Sequence, residues 1–443
     1  MNKKFTIKNY LFLFLFLLSF SGFSQTETDE VKINNRKNAV EQQQKPYVIL
    51  ISVDGFRDDY YEKFGTDFLL KMKTKGVSAK MIPSFPSVTF PNHYTLVTGM
   101  IPAHHGLVGN NMYNPKTKEF YSMRNKKAVQ NADWYGGIPI WSLAESQQML
   151  TACYYWPGSE AEIAGFFPSY YFPYAETKTI EERIQKVKDW LSLPEEERPH
   201  FITFYLPDVD QAGHKFGPDA LETKFAVKFA DATVEKLVEA VEETNLPVNY
   251  FFVSDHGMTT INRKEPLAVP DLNSDDIEVV VNGTYVSVFI EDENKIEKLF
   301  NNLKEEIPAN KPYAVYLKNQ VPKKYRFSTK EDKHHRIGDI VLIAEAPNYF
   351  SRYESIFMRG SHGYFPEDTP EMNTVFLAWG PDIKKNKEIQ EFDNVHLYSL
   401  LAELLGLDYD HKIDGDKRLL PKVLNDYQKN KPVNSQESTG LRE

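Results

Sequence analysis

The sequence predicts an α/β fold: a mostly parallel central sheet flanked by helices, with a small α+β insertion. Three observations carry this expectation. Continuous apolar runs of strand length recur at YVILISV (47–53), FITFYL (201–206), NYFFVS (249–254) and TVFLAW (374–379). Runs without polar alternation suit strands buried on both faces. Helical patterns separate the runs, and strand–helix alternation builds a parallel sheet. Between about residues 276 and 350 the texture changes to short strands and one charged helix.

Taken in order, the chain opens with Lys3, Lys4 and Lys8, an apolar stretch from Leu11 to Phe20, and small residues Gly22 and Ser24. This reads as a signal peptide, 1–24, cleaved after Ser24. The apolar stretch is too short for a membrane span, which takes ~20 apolar residues. The chain is therefore expected to be exported, periplasmic or extracellular, with no stable membrane insertion after cleavage. Residues 25–45 are polar and read as a flexible lead-in. One folded region is expected over 46–425, and 426–443 read as a polar tail.

Within the folded region TDFLLKMKTKG (66–76) reads as a helix closed by Gly76. Residues 219–244 form a long amphipathic helix, with Phe225, Phe229, Val234, Leu237 and Val241 near helical spacing. EVVVNGTYVSVFI (278–290) resembles a hairpin turning at Asn282-Gly283. A charged helix from Glu293 to Glu306 and strands YAVYL (313–317) and DIVLIA (339–344) complete the insertion.

Charge and cysteine content narrow the function. With 52 Lys+Arg against 62 Asp+Glu, the formal net charge is −10. That argues against binding a nucleic-acid polymer, although a metal centre can supply local positive charge for small anions. Cys153 is the only cysteine, so no intramolecular disulfide forms, and stability must come from core burial and metal ions. Nothing in the sequence demands an obligatory protein partner.

Three of the four apolar runs end alike. YVILISV runs into Asp54-Gly55. FITFYL runs into Pro207-Asp208-Val209-Asp210, with His214 four residues on, and NYFFVS runs into Asp255-His256-Gly257. Ligand sites in open α/β sheets lie beyond the carboxyl ends of the strands. Asp54, Asp210 and Asp255 are thus delivered to one edge with His214 and His256, and His362 follows in RGSHGYFP. Carboxylates with imidazoles suit zinc or a similar divalent ion. A lone strand-end Asp is more often a helix cap, and Asp208 reads that way. Six ligands exceed one tetrahedral site and suit two ions, which clamp the attacking and leaving oxygens of an in-line displacement.

The stretch PSFPSVTFPNHYTLVTG (83–99) offers Ser84, Ser87, Thr89 and His93 as reactive groups. Pro91 can start a helix, which places Thr89 just before its first turn. A hydroxyl at a helix N-terminus, bound to a metal, is activated as a nucleophile; the plainer alternative is that Thr89 is an N-cap.

VDGFRDDY, PSVTFPNHYTLVTGMIPAHHGLVGNNMYNP, DQAGHKFGP, VSDHGM and GSHGY, in this order, resemble the nucleotide pyrophosphatase/phosphodiesterase family of the alkaline phosphatase superfamily. The resemblance runs from about Pro46 to about Leu420 and implies an alkaline phosphatase-like fold. It implies Thr89 as nucleophile, with Asp54, Asp255, His256 and Thr89 on one zinc and Asp210, His214 and His362 on a second. It implies that Asn110 and the Thr89 N–H hold a non-bridging phosphate oxygen. Phe90 and a tyrosine of FFPSYYFPY, taken as Tyr171, would sandwich a nucleobase. The implied substrate is a nucleotide or another small phosphodiester. The alternatives on the same centre are a lipid-headgroup or glycerophosphodiester phosphodiesterase, or a phosphomonoesterase. A monoesterase would need cations beside the nucleophile, and Lys116 and Lys118 are the only ones between Lys80 and Arg124. Val88 and Asn111 stand where some animal members have lysines.

Three histidine groups are expected to be structural. His334-His335 lies among Lys and Arg and reads as insertion surface. His104-His105 should make structural hydrogen bonds, and His93 should pack or bond locally.

Overall fold

The computed structural model describes residues 29–272, 274–306 and 311–425. The expected signal peptide and polar tail lie outside the described residues. The main sheet is built on the apolar runs. β1 (Val31–Lys32), β2 (Tyr47–Val53), β3 (Val77–Ile82), β4 (Thr151–Tyr154), β5 (Tyr170–Phe172), β6 (Phe201–Leu206), β7 (Val248–Val253) and β8 (Thr374–Trp379) lie in the order β1-β5-β4-β6-β2-β7-β8-β3. From β5 to β7 neighbours are parallel, whereas β8 runs antiparallel to both β7 and β3. Val53 pairs with Leu206, and Ser52 with Val253. That register ends β2, β6 and β7 level with one another and brings their following turns together.

Helices cover both faces because the buried strands alternate their side chains between two cores. Ile49 and Ile51 of β2 join the core beneath α1 (Asp67–Lys75), α3 (Ile180–Leu191) and α5 (Leu221–Glu242). Val48 and Leu50 join the opposite core with Leu96 and Val97 of α2 (Thr89–Thr98) and Leu400 and Leu401 of α6 (Leu397–Leu405). Between α3 and α5 lies α4 (Asp208–Phe216), which follows β6 directly. Asp208 is its first residue, and Pro207 holds the N-cap position. On α5 the inward stripe is Val227, Ala230, Val234, Leu237 and Val241, while Phe225 and Phe229 face outward at 61% and 42% exposure. Their spacing is helical, but they occupy the face that α3 and the sheet leave open.

The region 25–45, expected as a flexible lead-in, is packed over its described part. Val31 pairs with Tyr171 across β1 and β5. Arg36 donates to the Phe167 carbonyl at 2.6 Å and to buried Glu145 at 3.2 Å. Asn38 donates to the carbonyls of Glu195 and Arg198. Low apolar content misled because side-chain hydrogen bonds to buried partners, not area, tie this segment down.

The insertion forms its own antiparallel sheet in the order Ile277–Val281, Tyr285–Ile290, Ile340–Ala344, Tyr313–Leu317. Val286, Val288, Ile340 and Leu342 centre its core. His334-His335, expected as plain surface, divides. His335 is exposed, but half-buried His334 places Nε2 3.1 Å from the His104 carbonyl. Arg336, buried behind it, donates to the carbonyls of Gly106, Trp134 and Asp133. The basic run therefore seals the insertion onto the main body. His104 and His105 make structural bonds, to the Asp414 carboxylate and the Thr95 hydroxyl respectively.

The turn after β2 carries one strained charge. Burial, followed by the neighbouring Asp59, pushes the Asp58 carboxyl from 3.8 up to about 6. The native state then binds more protons than the unfolded chain between those values, so this group loses stability as pH rises through them. Asp58→Asn is expected to raise stability above that window, by about 1 kcal/mol after solvent screening, and to be near neutral below it. Thermal midpoints at about pH 4 and about pH 7 read the difference.

Candidate metal centre and active site

Each of the three turns that follow β2, β6 and β7 contributes a carboxylate. Asp54 follows β2, Asp210 and His214 lie one turn apart on α4, and Asp255 and His256 follow β7. His362 arrives on a separate loop just after the short strand Gly360–Ser361. They gather into two trios, Asp54, Asp255 and His256, and Asp210, His214 and His362, each with its donor atoms within 4.8 Å of one another. The trios abut: the His256 and His362 rings stack at 3.4 Å between centroids. Gly55 permits the approach. It adopts φ +69°, and a Cβ there would lie 2.9 Å from the Asp210 Cα.

Hydrogen bonding fixes the orientation of the trio side chains. His256 Nδ1 lies 2.9 Å from the Gly257 carbonyl, His214 Nδ1 2.9 Å from the Gly360 carbonyl, and His362 Nδ1 3.1 Å from the Ser87 carbonyl. A carbonyl only accepts, so each Nδ1 carries a proton. Burial keeps His214 and His362 neutral, with a lone pair on Nε2. His256, despite its burial, is raised to about 10 by Asp255, so that without a metal its Nε2 also carries a proton. The lone pairs of His214 and His362 face each other, and His256 faces the carboxylates. His214 Nε2 and His362 Nε2 are 3.1 Å apart, and His256 Nε2 is 2.9 Å from Asp255 Oδ2 and 3.3 Å from Asp54 Oδ1. Asp54 Oδ1 and Asp210 Oδ1 are buried and accept no hydrogen bond. Asp54 Oδ2 accepts from the Tyr205 hydroxyl at 2.6 Å, and Asp255 Oδ1 from the Gly55 N–H at 3.3 Å. Lone pairs converging on lone pairs are repulsive until a cation lies between them. Carboxylates and imidazoles are the donor set of zinc, so each trio could hold such an ion.

Electrostatics agree. Burial, then the charges of Asp255 and Asp210, hold Asp54 well above the usual carboxylate range. Burial also pushes Asp210 up to about 7. For Asp255 burial opposes ionisation, but His256 and His93 outweigh it and hold the group well below its usual range. Burial lowers His214 to about 4 and keeps His362 neutral. Buried acids and imidazoles at this density are a cost that bound cations would reduce.

Of the four reactive candidates in the opening stretch, one lines the cleft beside the trios. Ser84 Oγ donates to Asn394 Oδ1 at 2.9 Å and Ser87 Oγ to the Tyr364 carbonyl at 2.6 Å. His93 is fully buried, bonded to Ser52 Oγ at 2.8 Å and 3.3 Å from Asp255 Oδ2. As expected it also bonds locally, with Nδ1 3.0 Å from the Thr89 carbonyl one turn back. Thr89 is half-buried, with Oγ1 3.1 Å from His256 Nε2. It is the first residue of α2 and not the residue before it; extended Val88 is the N-cap. Thr89 is therefore no cap, and its own N–H is one of the helix amides that lack an intrahelical acceptor. Asn110 Oδ1 accepts from the Phe90 N–H at 3.0 Å, which leaves the Asn110 Nδ2 donors for the cleft.

A cleft of about 790 Å³ opens over these groups, lined by Thr89, Phe90, Asn110, Trp156, Asp210, His214 and His362 among others. Tyr171 is not on its wall. It is buried in β5, stacked on Phe167 at 5.6 Å. β-strand alternation fixes this, since Tyr171 pairs with Val31 and Cys153 inside the sheet. The tyrosine of FFPSYYFPY that lines the cleft is Tyr174, 46% exposed and past the strand's end. Sequence reasoning also missed Arg124 and Lys126, which line the same cleft. The strand pair Asn111–Asn114 and Glu119–Ser122 folds back, with the Met123 N–H donating to the Asn110 carbonyl at 2.9 Å. Hairpin register was the signal that would have found them.

Comparison with known proteins agrees with this geometry. The type I phosphodiesterase / nucleotide pyrophosphatase family model matches residues 48–365. Ectonucleotide pyrophosphatase/phosphodiesterase family member 3 of Bos taurus is 36% identical over 378 residues, covering 82% of this chain and 42% of that protein. A pyrophosphatase/phosphodiesterase of Schizosaccharomyces pombe is 33% identical over 384 residues, covering 81% of this chain and 77% of that protein. The chain thus spans well under half the length of the mammalian relatives. Among solved structures, murine ectonucleotide pyrophosphatase/phosphodiesterase 5, in an inactive form in complex with AMP, matches with a TM-score of 0.78 at 27% identity. That match covers 86% of this chain and 100% of the other. With the motif-bearing strand ends, both trios and Thr89 inside the matched span, the chain belongs to the type I phosphodiesterase / nucleotide pyrophosphatase family.

Proposed function

We propose that the protein is an exported hydrolase of nucleotide phosphodiester and pyrophosphate bonds, working through a phospho-threonyl intermediate and releasing a nucleoside monophosphate. One observation carries the reading: two abutting trios that could each hold a cation stand beside the only one of the four candidate groups that lines the cleft, Thr89. Two zinc ions in the trios would supply Lewis-acid stabilisation of phosphoryl oxygens and ease deprotonation of the hydroxyl. Thr89 Oγ1 loses its proton and bonds to phosphorus as the bond to the opposite oxygen breaks; that oxygen leaves and is protonated from solvent. Asn110 Nδ2 and the Thr89 N–H hold the oxygens on which charge develops. Water then attacks the phospho-threonine, freeing the monophosphate and restoring the hydroxyl.

The cleft favours nucleotides over other diesters. Phe90 and Tyr174 line it, and aromatic faces beside a phosphate site suit a base, worth ~1–3 kcal/mol in stacking. Exposed Arg124 and Lys126 on the same wall suit a second phosphate. Export follows from the leader read at 1–24. The test is a side-by-side assay of zinc-loaded and chelator-treated protein on ATP, a dinucleotide, glycerophosphocholine and a phosphate monoester. ATP and the dinucleotide should be cleaved fastest, and chelation should abolish this until zinc is restored. Faster cleavage of glycerophosphocholine or of the monoester would overturn the nucleotide reading.

A further inference from the structure

The cleft contains two acids, Glu160 and Glu176, that neither trio uses and that the proposed chemistry does not need. Glu176 lies two residues after Tyr174, exposed at the cleft wall. Its Oε1 accepts from the Tyr174 hydroxyl at 2.7 Å and from Gln211 Nε2 at 2.8 Å. Gln211 follows the trio residue Asp210 on α4. The other end of the tyrosine is also fixed, because the Tyr174 N–H donates to Glu160 Oε1 at 2.9 Å. Tyr155 and Tyr205 meet its ring edge-on at 5.2 and 6.1 Å.

We infer that Glu176 is a positioning residue for the aromatic slot, clamping the Tyr174 wall to the helix that carries Asp210 and His214. The physical case is one of preorganisation. Tyr174 is half-exposed and lies beyond the end of β5, so backbone pairing does not hold its ring. An untethered ring must be immobilised whenever a base stacks on it, and that ordering is subtracted from affinity. A carboxylate acceptor makes a stronger bond to the phenol than a neutral group does. The second bond, to Gln211, refers the wall to α4 and so keeps the slot in register with the phosphate position. Glu176 touches neither the trios nor the reacting atoms, so its effect should be read only by substrates that possess a base.

This inference rests on the nucleotide reading of the slot, and one experiment separates the two. Binding of AMP and of ribose 5-phosphate to the zinc-loaded protein is measured by titration calorimetry for the wild type, Glu176→Ala and Glu176→Gln. Glu176→Ala is expected to weaken AMP about tenfold and ribose 5-phosphate by less than about twofold. Glu176→Gln keeps an acceptor oxygen for the phenol and should recover most of the AMP affinity. Equal weakening of both ligands, or unchanged AMP binding in Glu176→Ala, would overturn the clamp while leaving the nucleotide reading intact. A wild type that binds AMP no more tightly than ribose 5-phosphate would overturn both. Unchanged zinc content and thermal midpoint confirm that each variant is folded, and Tyr174→Ala, which removes the wall itself, fixes the size of the base-dependent effect against which the others are read.

Discussion

Thr89→Ala is expected to lower kcat/KM for an aryl ester of a nucleoside monophosphate by about four orders of magnitude or more, with zinc still bound. The size follows from the absence of a substitute. Ser84 and Ser87 hold their hydroxyls against Asn394 and the Tyr364 carbonyl, and His93 is buried behind Asp255. No neighbouring hydroxyl can move into the place of Thr89 Oγ1 without breaking a buried bond. The α2 backbone should be unaffected, because Thr89 makes no side-chain cap. Zinc content by mass spectrometry together with a steady-state assay decides the matter. Near-normal activity in the zinc-loaded variant would sink the covalent route and leave direct attack by water.

His362→Ala should cost about three orders of magnitude in the same assay and about one zinc per chain. His362 completes the trio of Asp210 and His214, and its ring also fills the space against His256 at 3.4 Å. Two remaining ligands do not hold zinc tightly. His335→Ala is the contrast: that imidazole is exposed on the insertion, and its removal should change neither zinc content nor rate. Equal losses in both variants would show that the histidines act on folding and not on a metal.

The central fold was legible because buried parallel strands announce themselves as unbroken apolar runs, and YVILISV, FITFYL and NYFFVS became β2, β6 and β7. The trios were legible for the same reason: a residue type placed directly after such a run has its location fixed by the strand. What could not be read depends on contacts distant in sequence. Tyr171 and Tyr174 are both tyrosines in one short stretch, and only the end point of β5 decides which is buried and which lines the cleft. Arg124 and Lys126 needed the hairpin register. Phe225 and Phe229 keep the helical period of α5, but period alone does not say which face meets the sheet. The segment around Arg36 and Asn38 looked unstructured because its anchors are polar. Glu176 gives no signal at all in one dimension, since its bond to Gln211 joins residues 35 positions apart.

Gly55 has a consequence for how such a centre can change. The turn after β2 presses on the start of α4 with no side chain between them, so the span between the two trios is dimensioned by the thickness of a main chain. Ligand side chains can be exchanged one at a time to retune which cation each trio prefers. The span itself has no such adjustment: Gly55→Ala would wedge the turn against the Asp210 backbone and part the trios together. On the proposed two-cation reading, a change of metal preference needs one side chain, whereas a change of spacing needs two backbone segments rebuilt together.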